Sequence, residues 1–331
     1  MRTAHGMTVL FVAAAGPRIG FGHLVRCGVL AGAMGMRPRV SLRATSTTRR
    51  EARALGWHVH PTLPSILGTL MPALVVVDEP DARQARRWIR AARALHVPVA
   101  AIRDLGLHAL DADLTIDGSL AAMGAHDADL QGPQFAILNP AILSLRQQAQ
   151  PRLPRRVVIA LGGGAHVRQL GPELAACIRA CAPDVEVRLA PGFRTANPPP
   201  LPPGCAWLPP HGLREELAAA TLAVVAGGVT LYEACALGTP LVTLAVADAQ
   251  RITTSAAAAA GAVIDASDAD PRTAVRRAAS LATVLLGTGD VRAALGSTAA
   301  RIVDGHGTAR AIAHLRALLL THPGGRERHA A

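Results

Sequence analysis

No lysine occurs anywhere in this 331-residue chain, so all 34 basic residues are arginine; against 23 acidic residues the formal net charge is +11. Such a charge ordinarily points to a polyanionic partner. Here the arginines are spread along an alanine-rich sequence, and aromatic residues make up only 2% of it. A nucleic-acid surface needs a basic face with stacking or base-reading side chains. Without them the composition reads as codon bias and solvated arginine, and no nucleic-acid partner is expected. Cysteine is scarce as well: five, an odd number at scattered positions, form no disulfide framework. Cys177 and Cys181, four apart in a helical stretch, read as two buried thiols rather than a metal pair. His58 and His60 in WHVH would share one face of a strand, but with no CxxC or HExxH nearby no metal site is expected. No window of 18 uncharged apolar residues appears, so no stable membrane insertion is expected. The N-terminus resembles a secretory signal, Arg2 being followed by an apolar run at 7–15 and then small residues; the competing reading is a buried first strand.

What is present is alternation. Short apolar runs at 8–14, 39–43, 74–78 and 97–102 are separated by helix-period segments such as 82–95, the pattern of parallel βαβ units. At 147–156 (QQAQPRLPRR) the pattern breaks into a polar, proline-containing segment. It resumes with strands at 157–161, 185–190, 222–226 and 241–244 and helices at 168–181 and from Thr230. Two α/β domains are therefore expected, 1–148 and 155–321, followed by a flexible tail at 322–331, with the proline-rich 191–210 as a surface loop.

Three glycine-rich turns each close a strand and open a helix: GPRIGFGH (16–23), LGGGAH (161–166) and AGGVTLYEA (226–234). Glycine lets the backbone turn tightly and approach a ligand, and the free N–H groups of a helix start attract phosphate. None ends in the GK[ST] of a P-loop. None is a GxGxxG dinucleotide fingerprint with its acidic partner either. Nucleotide binding without redox chemistry, and without a cofactor, is the reading left. His23, where loop becomes helix, could accept a proton from a substrate or could simply cap the helix. Glu233, three residues beyond Thr230, could accept hydrogen bonds from ligand hydroxyls or could complete a capping box with that threonine.

The stretch IGFGHLVRCGVLA (19–31) resembles the IGxGHxxRxxxLA motif of the pseudaminic-acid pathway enzymes that hydrolyse a UDP-linked 2,4-diacetamido-trideoxy sugar, and of their spore-coat polysaccharide relatives. The resemblance continues through VVVDEPD, GPQFAILNPAILSLR, VVIALGGGA and AGGVTLYEACALGTPLVTLAVADAQR in family order, covering nearly the whole chain. That family is similar to the transferase that adds N-acetylglucosamine to lipid-linked peptidoglycan precursors. The resemblance implies the GT-B fold, two Rossmann-like α/β/α domains with the active site in the cleft between them, in a cytoplasmic, metal-independent enzyme acting on a UDP-sugar. Carried over, it makes His23 the base that activates water, with Asp78 at the acidic strand end as the second catalytic candidate. Gly20 and Gly22, then Gly162, Gly163 and Gly164, and then Gly227, Gly228 and Thr230 become phosphate-facing. Glu233 is placed on the ribose hydroxyls and Gln250 near the sugar or phosphate. Departures fall on the sugar side: Asp78-Glu79-Pro80 lacks the family's tyrosine, Asn139-Pro140-Ala141 replaces Arg-Pro-Glu, and Ala249 replaces the asparagine before Gln250. Hydrolysis of a UDP-linked amino or deoxy sugar is the leading expectation. Transfer to an acceptor hydroxyl on the same fold, or nucleotide-sugar binding without turnover, are the alternatives.

Overall fold

A computed structural model of the chain describes residues 8–16, 19–120, 127–148, 152–164, 166–192, 198–209 and 211–321; the expected tail at 322–331 lies outside them. In chain order the elements are β1 (Val9–Ala14), α1 (Gly22–Ala33), β2 (Arg39–Arg43), α2 (Ser46–Ala54), β3 (His58–His60), α3 (Ile66–Leu70), β4 (Leu74–Asp78), α4 (Ala82–Ala94), β5 (Val99–Ile102), β6 (Leu114–Asp117) and β7 (Leu130–Gln131). A 3₁₀ turn (Pro133–Phe135) leads to α5 (Ala141–Gln147), β8 (Arg156–Ala160), α6 (Val167–Cys181), β9 (Glu186–Leu189), β10 (Cys205–Trp207), α7 (Leu213–Ala219), β11 (Leu222–Ala226) and α8 (Val229–Ala236). Then follow β12 (Leu241–Leu244), a second 3₁₀ turn (Asp248–Gln250), α9 (Arg251–Ala259), β13 (Ile264–Asp265), α10 (Pro271–Gly287), α11 (Gly289–Ile302) and α12 (Gly307–Thr321).

Two wholly parallel sheets result, ordered β3-β2-β1-β4-β5-β6-β7 and β10-β9-β8-β11-β12-β13. Parallel sheets are covered on both faces, so their inner strands read as continuous apolar runs. VLFVAA of β1 and LVVVD of β4 are buried at every residue. Alternate β1 residues serve opposite cores: Phe11 joins Leu24, Leu30, Leu42 and Leu315 on one face, and Leu10 and Val12 join Val77, Trp88 and Ile89 on the other. Helix α4 buries Ala85, Trp88, Ile89 and Ala92, the i, i+3, i+4, i+7 stripe of an amphipathic helix. Its start is fixed by Asp81, whose carboxylate accepts from the N–H groups of Arg83 and Gln84 at 2.9 and 3.1 Å. In the second sheet Val157, Ile159, Val187, Leu222, Val224 and Val242 pack with Leu174, Ile178, Val275 and Ala278.

The chain divides into one unit of residues 1–137 with 306–331 and another of 138–305. This differs from the division expected at 148–155. Helix α5 packs on α7 and α8, and Arg146 on α5 donates to the carbonyls of Ala236, Ala300 and Asp304 at 3.2–3.3 Å. The described parts of the polar segment, 147–148 and 152–156, therefore fall inside the second unit. The crossing itself runs through Ile137 and Leu138, both buried, and carries no linker composition to read. The return is also fixed by packing: α12 lies against α1 and the first 3₁₀ turn, Arg310 donates to the Gln134 carbonyl at 2.8 Å, and a Cβ on Gly307 would collide with the Ala136 backbone.

Two further expectations are corrected. The proline-rich 191–210 contains β10, a three-residue strand on the sheet edge; a strand that short, flanked by proline, pairs on one side and leaves almost no periodic signal. Cys181 is exposed and Cys177 half-buried, so the pair is not a buried one.

Candidate functional site

In each sheet the strand order reverses once, between β1 and β4 in the first and between β8 and β11 in the second. Ligands of open α/β sheets bind beyond the carboxyl ends of the strands at such a switch point. All three glycine-rich turns leave those strands there. Side chains cap α2, α4 and α10 (Thr45, Asp81, Asp270); among the described residues α1, α6 and α8, which leave the switch-point strands, start without one, as do α3, α5, α7, α9 and α11.

In the first unit, register sets Ala13 of β1 beside Asp78, the last residue of β4. The turn after β1 is closed by paired backbone bonds between Gly16 and Gly20 at 2.9 and 2.7 Å, with Gly20 at φ +86°, where a side chain would strain the backbone. Gly22 then opens α1 and His23 follows. The His23 ring does not cap the helix: its Nδ1 lies 2.7 Å from Asp78 Oδ1. Arg26, one turn on and on the same helix face, donates through Nε to Asp78 Oδ2 at 2.9 Å and through Nη2 to Oδ1 at 2.7 Å. Asp78 is 1% exposed, and with a guanidinium fork on both oxygens it acts as acceptor. The proton between it and His23 therefore sits on Nδ1. Arg26 Nη2 also approaches Nδ1 at 2.9 Å, but a protonated Nδ1 has no lone pair to offer, so this is a close approach of charge rather than a bond. Nε2 is left as the ring's proton acceptor.

The remaining arm of Arg26 reaches Asp104, in the turn after β5, Nη1 to Oδ1 at 2.5 Å and Nη2 to Oδ2 at 3.0 Å. The Asp104 side chain is 43% exposed; partial loss of solvent raises its carboxyl, but the charge and hydrogen bonds of Arg26 outweigh that and bring its pKa down to about 2. Burial lowers Arg26, and the two carboxylates more than offset that, holding it well above its ordinary value. Beside this cluster Arg43, at the end of β2, pairs through both arms with buried Glu79, Nε to Oε2 at 3.0 Å.

In the second unit, three glycines were expected to serve the turn after β8 alike, and the structure separates them. Gly162 turns the chain at φ +88°, and within the triplet the left-handed backbone is confined to it. Gly163 follows in the bend, half-buried, and its role is close approach: its Cα lies 3.4 Å from where a Cβ on Gly192 would stand. At Gly164 a Cβ would come within 2.5 Å of the His166 ring, which donates from Nε2 to the Leu161 carbonyl at 2.7 Å. After β11, a Cβ on Gly227 would meet the Gln250 carbonyl at 2.9 Å and Thr254 at 3.0 Å, so glycine lets α9 close on this loop. Gly228 is the N-cap of α8, which places Thr230 in the first turn and Glu233 beyond it, too far along for a capping box. Glu233 is 8% exposed; its carboxylate receives no hydrogen bond among the described residues, and Arg214 Nη1 stands 4.0 Å from it. Burial pushes its carboxyl up and Arg214 opposes, leaving it at about 7. Gln250 spends its side-chain carbonyl on the Val246 N–H at 3.0 Å, which keeps its amide N–H groups available.

Of the residues picked out in the sequence, His23 and Asp78 are in direct contact, and Gly162, Gly163, Gly164, Gly227, Gly228, Thr230 and Glu233 gather at the second switch point. Arg26, Asp104, Arg214 and His166 were not singled out. Arg26 carried a signal, its i+3 spacing from His23; Asp104 and Arg214 reach the sites only through tertiary contacts. Among the described residues no group of three or more His, Cys, Asp or Glu side chains could hold a metal ion.

No family model matches the chain, and no curated protein matches it. Solved structures do. The spinosyn rhamnosyltransferase SpnG superimposes with a TM-score of 0.67 at 18% identity, over 94% of this chain and 100% of that one. The same enzyme complexed with thymidine diphosphate gives 0.65 at 19% identity, over 92% and 98%. MurG of Acinetobacter baumannii gives 0.59 at 15% identity, over 93% and 99%. At these identities the likeness establishes architecture: two parallel, Rossmann-like α/β sheets in the GT-B fold of glycosyltransferases.

Proposed function

We propose that the chain is a nucleotide-sugar-dependent glycosyltransferase in which His23 deprotonates an acceptor hydroxyl. The observation that carries this is the 2.7 Å contact between His23 Nδ1 and buried Asp78. It fixes the tautomer, leaves Nε2 to accept a proton, and supplies an anion to stabilise the imidazolium that forms. As the acceptor proton moves to Nε2, the acceptor oxygen bonds to the anomeric carbon and the bond from that carbon to the diphosphate breaks. The leaving nucleoside diphosphate carries the electron pair away. Within the second unit, the glycine loops at 162–164 and 227–228 and the starts of α6 and α8 suit a nucleoside diphosphate. Glu233, buried and without a hydrogen-bond donor of its own, suits two ribose hydroxyls, which favours UDP over a deoxyribose nucleotide.

A second reading has water in place of the acceptor, giving hydrolysis at the same Nε2. The sequence around His23, IGFGHLVRCGVLA, favours it. Incubating the protein with a panel of UDP- and TDP-sugars separates the readings. Release of nucleotide only with an acceptor alcohol supports transfer, and release in water alone supports hydrolysis. Binding without release in either case would sink both and leave a nucleotide-sugar binder.

A further inference from the structure

The turn that carries Asp104 is more heavily built than a surface connection requires. Leu105 and Gly106 both have left-handed backbones, φ +60° and +62°. Leu105 is a buried non-glycine residue in that conformation, which persists only where its surroundings over-determine it. They do so here: the Leu105 N–H donates to Ser119 Oγ at 2.7 Å and the Gly106 N–H to Asp117 Oδ2 at 2.6 Å. Asp117 is fully buried and also accepts from the Ser119 N–H at 3.0 Å. The effect is to hold Asp104 against Arg26, two N–H groups to two oxygens.

Charge gives the reason. With Asp78 alone, Arg26 would cancel the one anion beside His23 while setting its own positive charge 2.9 Å from Nδ1, opposing a second positive charge on the ring. Asp104 adds an anion on the far side of the guanidinium. The cluster Asp78, Arg26 and Asp104 then carries one net negative charge, and a proton arriving on His23 neutralises it. Cys27 on α1 also faces the cluster, its thiol pushed well up by burial and kept uncharged; beside it stand the Arg43–Glu79 pair and, under the Asp104 turn, Asp117 with Arg103 Nε at 3.9 Å.

We propose that Asp104 is a positioning residue for proton uptake by His23, acting through Arg26 by offsetting its charge and by holding its fork on Asp78. The proposal rests on His23 being the base, and its test is separable from that reading. In full-length protein labelled with ¹⁵N-histidine, the His23 ring signals are identified by their loss in His23→Gln, and the pH at which that ring becomes doubly protonated is followed. Asp104→Asn should lower this midpoint by about one pH unit, and Asp104→Glu, which can reach Arg26 again, should restore most of it. An unchanged midpoint in a folded Asp104→Asn variant, checked by circular dichroism, overturns the proposal. With a turned-over nucleotide sugar, Asp104→Asn should cut kcat by up to roughly 10²-fold at unchanged KM. A raised KM with kcat intact would place Asp104 on the substrate and overturn the proposal as well. If the midpoint moves as expected while the wild-type chain turns over no nucleotide sugar, the enzymatic reading fails and the placement of Asp104 stands.

Discussion

Asp78, the carboxylate at the switch point of the first sheet, meets the His23 ring and both arms of an arginine fork; Glu233, beside the switch point of the second, is almost as deeply buried, and its carboxylate receives no hydrogen bond among the described residues. The first is a finished arrangement, its geometry set before any ligand arrives. The second is an arrangement short of donors. Burying a carboxylate with one arginine at 4.0 Å and no hydrogen bond costs stability, and a fold keeps such a cost where function uses it. On the proposed reading, the first unit supplies a preorganised base and the second a carboxylate whose missing hydrogen bonds a hydroxylated ligand would provide.

The comparison breaks most readily at His23. His23→Gln should lower turnover of a nucleotide sugar by about 10²- to 10⁴-fold while leaving nucleotide affinity, read by calorimetry, nearly unchanged. Wild-type rates in this variant would reduce the His23–Asp78 contact to a structural one. Asp78→Asn should cost a comparable factor, since an amide in that place no longer fixes the proton on Nδ1.

Next in size is the pH dependence of stability set by Glu233. Its carboxyl lies at about 7 against an ordinary 4.5, so the folded state holds the proton more tightly than the unfolded one. Below 4.5 both states are protonated and nothing is lost. Between 4.5 and 7 the unfolded chain ionises first and stability falls with rising pH, the loss being complete above 7. Glu233→Gln should therefore be more stable than wild type at about pH 8 by on the order of 3 kcal/mol and no more stable at about pH 4, measured by urea unfolding. Equal stability at both pH values would mean that the carboxylate has partners after all.

Binding should follow. Glu233→Ala is expected to weaken UDP by roughly 1.5 to 3 kcal/mol and to weaken its deoxyribose analogue by less; matched losses would remove the ribose assignment. The smallest effect expected is that of Gly227→Ala. Its Cβ would press on Gln250 and Thr254, costing about 1 to 3 kcal/mol of stability, read as a lower denaturant midpoint. A variant as stable as wild type would show that the start of α9 can yield.

Much of this architecture was legible in the chain. The expected strands 39–43, 74–78, 222–226 and 241–244 coincide with β2, β4, β11 and β12: LVVVD, LAVVA and LVTL are the largely apolar runs that burial on both faces demands, and RVSLR shows apolar Val40 and Leu42 at alternate positions. The edge strands β7, β10 and β13 left no such trace: each is two or three residues long and owes its existence to a neighbour. Of the first site, His23 and Asp78 could be picked out one by one. The Asp104 end of the cluster could not, since RDLG after a strand looks like any turn until its aspartate is seen against Arg26. In the triplet at 162–164 the sequence marks three equal glycines, and the different demands on Gly162 and Gly163 come from the backbone path and from the approach of Gly192.

Sequence alone determined the alternation of strand and helix, the three glycine turns and the place of His23 at a helix start. Those features depend on side-chain periodicity and backbone freedom within a few neighbouring residues. Only the tertiary structure decided that His23 meets a carboxylate 55 residues away, that Arg26 spans two aspartates, that the Glu233 carboxylate is left without a hydrogen bond among the described residues, and what seats α12, whose return toward the first unit the family resemblance implies, against α1. These outcomes depend on strand order and register, on Ala13 lying beside Asp78 in neighbouring strands and on Gly307 fitting against Ala136. Such pairings between distant segments are chosen by the packing of the whole domain, and no local pattern encodes them.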